Sequence, residues 1–187
     1  MLTFALSTNY ADSKKVYFQQ FSEENMNKNW SNTALVAYSA LPKIAKELDF
    51  SLSRLVNSSF KSTHLKNGVS TMQLIGEIME VTEEKRKIVN LHFIVNSALE
   101  HMTVMGRNML VSRIIKKMTF RDMADELGLS IRTTFRKFES AQDEFAHYLR
   151  AAGYSESWFE NEYGEDKYIS PIRERFLADK YLSSKNL

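Results

Sequence analysis

Apolar residues recur at helical spacing along most of this chain, and no run of alternating β-branched residues suggests a strand. From Ser31 the rhythm is regular, with Pro42 near a helix start, where its missing N–H costs nothing. Ser58 to Ser70 is hydroxyl-rich, contains Gly68 and reads as the main linker. Ser70 with Gln73 makes a capping box for a short helix, Thr71 to Met79. Thr82, followed by Glu83 and Glu84, caps the longest helix, Glu83 to about Thr103. Along it Ile88, Leu91, Val95, Ala98, Met102 and Met105 alternate by three and four, a heptad-like seam. So short a seam fits an intramolecular hairpin with Met72, Ile75 and Met79 better than a dimer. Further on, Phe138, Ala141, Phe145 and Leu149 keep the stripe until Gly153 stops it. Trp158, Phe159 and Tyr163 then sit among acids, and Ser170-Pro171 opens a last helix, Ile172 to Tyr181. This tail folds back on the core or offers a partner surface. The first thirty residues are polar with scattered aromatics; Val16–Phe21 reads as a short helix and Glu23–Asn29 as a loop.

The stretch Met118–Phe138, MTFRDMADELGLSIRTTFRKF, carries the strongest local signals. Thr119 caps a helix whose third residue, Asp122, reaches back, a shortened capping box. Phe120, Met123, Ala124 and Leu127 give that helix one apolar stripe. Gly128 stands where a helix ends in a left-handed residue, Leu129 plugs the turn, and Ser130 caps the next helix. That helix opens Ile131-Arg-Thr-Thr-Phe-Arg-Lys137, with cations and hydroxyls on its first two turns. Such side chains suit a recognition helix, because guanidinium groups read guanine edges while hydroxyls and cations hold phosphates. The pattern predicts a helix-turn-helix.

Upstream, Met102 to Lys117 supplies a support helix with its own stripe at Met102, Met105, Met109 and Ile114. Taken together, the segment resembles the fourth region of sigma-70-type transcription factors at Phe120, Met123, Ala124, Leu127, Gly128, Leu129 and Ser130. It covers about a quarter of the chain. Related modules also occur in phage-encoded late regulators and small stand-alone regulators, so the resemblance implies DNA binding more strongly than sigma activity. The family usually places an aliphatic residue where Thr134 stands and a polar one where Phe135 stands; the rotation of the second helix turns on that departure.

Charge sharpens the picture. The formal net charge is +2, but from Arg107 to Lys137 eight cations face three anions, a local +5. From Phe138 onward ten acids face six bases, a local −4. A basic block coinciding with the helix-turn-helix is the footprint expected of phosphate binding. Within it, Arg132 and Arg136 share a face for base or phosphate contact. Thr133 and Lys137 flank them for backbone contact, and Ser130 leaves helix N–H groups aimed at a phosphate. Arg113, Lys116, Lys117 and Arg121 anchor the turn to neighbouring phosphates, while Ala124, Leu127, Leu129 and Phe138 hold the two helices at their angle.

A fainter echo lies upstream. Ile44-Ala-Lys-Glu-Leu-Asp-Phe-Ser51 matches Met123-Ala-Asp-Glu-Leu-Gly-Leu-Ser130 in pattern, and Leu52-Ser-Arg-Leu-Val56 follows where a second helix would begin. A diverged helix-turn-helix over 42–60, with Arg54 and Lys61 as its cations, or a corner used only for packing, both fit. The expected architecture is all-α: a helical hairpin joined to a helix-turn-helix, with additional N-terminal and C-terminal helices. Its regions are 1–66, 70–150 and an acidic aromatic tail, 151–187.

Catalytic signals are absent. His64, His92, His101 and His147 are scattered, and no metal-ligand, phosphate-loop or nucleophile motif occurs. Cysteine is missing, which removes disulfides and thiolate chemistry and suits a reducing compartment. No signal peptide or apolar run near the ~18–20 residues of a membrane span is found. The expectation is a cytoplasmic, non-enzymatic transcription regulator without cofactor, binding double-stranded DNA, with RNA polymerase and a homodimer as open partners. Its rivals are a helical scaffold or assembly protein and an accessory DNA-packaging or recombination subunit.

Overall fold

A computed structural model describes residues 29–59 and 71–185. The Val16–Phe21 helix, most of the Glu23–Asn29 loop, most of the linker and the Ser70 cap lie outside the described residues. Among those described are eight α-helices and no strand, so the fold is all-α. They are α1 (Asn29–Tyr38), α2 (Leu41–Ser59), α3 (Thr71–His101), α4 (Val104–Leu110), α5 (Phe120–Leu127), α6 (Ile131–Ala151), α7 (Glu156–Tyr163) and α8 (Ile169–Lys185). A π-helical turn, Val111–Ile115, continues α4.

The centre is α1, which is buried nearly all round and packs against α2, α3, α6, α7 and α8. A helix in that position must satisfy its polar side chains internally. Thr33 Oγ1 donates to the Asn29 carbonyl at 2.8 Å, and Gln142 Nε2 donates to Asn32 Oδ1 at 2.9 Å. Trp30 meets Phe159 of the tail with ring centroids 6.0 Å apart.

Next to α1, α2 lies antiparallel along α3. Tyr38 Oη, at the end of α1, donates to Asn96 of α3, and Lys85 of α3 meets Asp49 of α2 further along. Two sequence expectations fail here. Residues 71–101 form one continuous helix, not a short helix folded back on a long one. Nothing between Met79 and Glu83 breaks a helix, and Thr82 Oγ1 donates backward to the Ile78 carbonyl at 2.7 Å instead of capping. Met72 and Met79 are therefore 77% and 66% exposed, not hairpin partners. The seam at Ile88, Leu91, Val95, Ala98 and Met102 is buried, but within the core that α1, α2 and α6 share; Met105 is exposed.

The second failure is the diverged helix-turn-helix. Leu41–Ser59 is a single helix that runs straight through Asp49, Phe50 and Ser51. Asp49 stands where the other motif has its turn glycine, and helical backbone suits aspartate far better than a left-handed bend. Beyond α6, the tail packs inward. Phe159, Tyr163 and Ile169 are buried, and Tyr163 Oη donates to the Lys87 carbonyl at 3.1 Å. Burial pushes the Tyr163 hydroxyl well above its ordinary pKa, with the Glu162 charge adding to the effect. One hydrophobic core takes residues from α1, α2, α3, α4, α5, α6 and the tail alike.

Candidate nucleic-acid interface

Short-range hydrogen bonds build the helix-turn-helix. Thr119 adopts an extended backbone and accepts from the Asp122 N–H, while the Asp122 carboxylate accepts from the Thr119 N–H at 3.1 Å and its hydroxyl at 2.7 Å. Those bonds, the hydroxyl first, hold the Asp122 carboxyl below its ordinary pKa. Helix α5 ends at Gly128, whose φ of 63° and ψ of 33° are left-handed, and the Leu129 N–H reaches back to the Ala124 carbonyl at 2.9 Å. Ser130 then caps α6, accepting from the Thr133 N–H at 3.2 Å. The N–H groups of Ile131 and Arg132 have no acceptor within the helix.

This geometry sorts the candidate side chains. Arg121, Arg132 and Arg136 are exposed, and Ser130 stands at the exposed start of α6. Thr133 is half-buried, its hydroxyl bonded to that of Ser130 at 2.9 Å. Lys137 leans back on the support helix, its Nζ 3.6 Å from Met105 Sδ. Lys116 is exposed beside the groove between α4 and α5. Arg113 is half-buried: its Nη1 donates to the Met118 carbonyl at 2.8 Å, and its guanidinium lies 4.9 Å from the Phe120 ring centroid. Lys117 is exposed at a φ of 56°, a left-handed conformation that a side chain disfavours. No cation between Arg107 and Lys137 forms an ion pair with a described residue. Lys116, Lys117, Arg121, Arg132 and Arg136 keep their charge toward solvent, while Arg113 and Lys137 are turned partly inward.

Thr134 settles the rotation of α6. It is fully buried, and its Oγ1 donates to the Ser130 carbonyl at 3.1 Å. Burial of a hydroxyl is tolerated because the helix supplies that acceptor. Phe135 is 46% exposed and meets Phe120 edge-on, with centroids 5.3 Å apart. Ala124 and Phe138 are buried at the helix crossing, as expected, and Leu129 is half-buried. Leu127 is not part of that crossing; it is exposed and lines the groove with Met105 and Lys116.

Sequence reasoning missed the brace behind the motif. The Thr103 N–H and hydroxyl donate to the Glu144 carboxylate at 2.7 and 3.0 Å, tying the start of α4 to the far half of α6. Gly106 makes this possible, since a Cβ there would lie 2.5 Å from Glu144 Oε2. Thr103 as a cap for Gly106 was readable locally; its partner 41 residues away was not. Among the described residues no group of acidic and imidazole side chains has the clustering of a metal site. No described helix is long and apolar enough to cross a membrane.

In comparisons with protein-family models, curated proteins and solved structures, nothing matches this chain.

Proposed function

We propose that this protein is a sequence-specific DNA-binding transcription regulator that docks the first turns of α6 in the major groove. The observation that carries the reading is the pair Arg132 and Arg136. They are exposed, one helical turn apart, without an ion pair to a described residue, and set just past a capped left-handed turn. An arginine pair so placed has the reach for guanine edges or phosphates. The free N–H groups at the start of α6, with Arg121 and Lys116, suit phosphates on either side. Resemblance to sigma region four adds RNA polymerase as a partner, to be tested by pull-down.

The deciding experiment is a binding series against selected or genomic DNA. Arg132→Ala with Arg136→Ala is expected to abolish specific binding with little change in helix content or melting temperature. Affinity of the unaltered protein is expected to fall by roughly a hundredfold or more between low and physiological salt if five or six phosphates are met. An undiminished double variant, or binding indifferent to salt, would sink the reading. A scaffold role is favoured by a different feature, the exposed Phe50, Met72, Met79 and Phe93 on α2 and α3. Self-association lost on replacing Met72 and Met79 with Ser, in a protein that does not bind DNA, would select it.

A further inference from the structure

The face of α5 and α6 turned toward α1 and α8 borders a cavity of about 690 Å³. That volume is in the range of small-molecule sites. Its walls come from three segments distant in sequence: α1 with Ala40, the π turn running into the helix-turn-helix, and the start of α8. Phe120, Phe135 and Phe138 supply an aromatic side, with Phe120 edge-on to both others at 5.3 and 5.4 Å. Val36, Ile114 and Ile172 extend the apolar lining.

The charged groups are all of one sign. Arg113, Lys117 and Arg175 line the cavity, no carboxylate does, and none of the three has an ion pair with a described residue. The remaining polar side chains, Asn32 and Gln142, are hydrogen-bonded to each other. An apolar cleft open to solvent on one side, with unopposed cations, selects ligands of matching polarity: an apolar body that covers the aromatic wall, and an oxyanion that the guanidinium and ammonium groups can reach. Arg113 is already half-committed to the Met118 carbonyl, which leaves Lys117 and Arg175 as the freer donors.

We propose that this cavity is a binding site for a small amphipathic anion, an apolar or aromatic body ended by a carboxylate or phosphate. Such a ligand touches α6 and α8 at once, so it braces the helix-turn-helix against the tail. Neither Arg132 nor Arg136 lines the site, and its occupancy is measurable whether or not the protein binds DNA.

The test uses the full chain with the anionic dye 1-anilinonaphthalene-8-sulfonate as fluorescent reporter, and decanoate, decyl phosphate and decanol as competitors. Expected are one dye site per chain and displacement by decanoate or decyl phosphate at concentrations about tenfold or more below decanol, the preference a charge-assisted contact confers. The stronger of the two acids identifies the head group. Lys117→Ala with Arg175→Ala should erase the preference for the acids while decanol still displaces the dye. Ala40→Phe, which puts a ring into that space, should weaken dye and acid binding together, with circular dichroism confirming an unchanged helix content. Should that variant fail to fold, the Lys117 and Arg175 result decides alone. Absence of dye binding, equal displacement by decanol, or an undiminished acid preference in the double variant overturns the proposal.

Discussion

Residues 44–51 and 123–130 share one pattern, apolar-Ala-charged-Glu-Leu-x-apolar-Ser, and fold differently. The first is an uninterrupted part of α2; the second ends a helix, turns and starts another. Their difference sits at the sixth position. Gly128 takes a φ of 63°, and the chain leaves the helix, whereas Asp49 stays helical and meets Lys85 of α3 at 2.5 Å. The neighbours then follow the backbone. Leu129 is half-buried in its turn, while Phe50 at the same position is 67% exposed. Ser130 caps a helix, and Ser51 is an exposed mid-helix residue. One residue's tolerance of a left-handed backbone separates a motif from its imitation.

The comparison is open to attack from both sides. The largest effect is expected at the turn itself: Gly128→Val should destabilise the protein by about 1–3 kcal/mol, because a β-branched residue is strained at that φ. Chemical denaturation measures the loss, and DNA affinity should disappear with it. If the variant matches the parent in both, the left-handed turn does not govern the module. Next come the paired serines, which should move in opposite directions. Ser130→Ala should cost about 1 kcal/mol through the lost cap. Ser51→Ala should stabilise by about 0.5 kcal/mol, since alanine is the better residue inside a helix. Equal signs in the two melting curves would mean that Ser51 and Ser130 do the same work.

The smallest effect concerns acid. The carboxyl of Asp122 is held below its ordinary pKa by Thr119, so its stabilising contribution is present above the unfolded value of ~3.9 and is lost as pH falls through the lower folded value. The amides of Thr119 and Asp122 should therefore shift, on nuclear magnetic resonance titration, only below the ordinary aspartate range. Asp122→Asn should remove that acid transition and leave the Ser130 cap intact. A midpoint at or above the ordinary value would mean that the capping box gives the carboxylate no support in solution.

What could be read from the chain alone tracks the distance over which each feature is decided. The cap at Thr119, the turn at Gly128 and the cap at Ser130 each depend on partners within four residues, and all three stand as read. The apolar seam from Ile88 to Met102 was legible as a buried face, but its cover was not. That cover is α2 together with α1 and α6, brought together only by the whole fold. Thr82 misled because a hydroxyl before two glutamates marks a helix start only where the backbone leaves the helix, and nothing there makes it do so. Among the candidate cations, exposure could be anticipated at Arg132 and Arg136. The inward commitments of Arg113 and Lys137 could not, since they depend on the Phe120 ring and on Met105 across the support helix.

The π turn at Val111–Ile115, closed by a bond from the Lys116 N–H to the Val111 carbonyl at 3.0 Å, joins the support helix to everything after it. A π turn accommodates a residue that an α-helical turn has no room for. Each residue of a helix advances its direction by about 100°. Each residue of a π turn advances the direction less, so a one-residue deletion here, closing the turn to ordinary α geometry, would leave Arg132 and Arg136 close to their heading about the support axis. The π turn is thus a register buffer: the segment between Leu110 and Met118 carries one more residue than an α turn would, while the helices after it keep their aim.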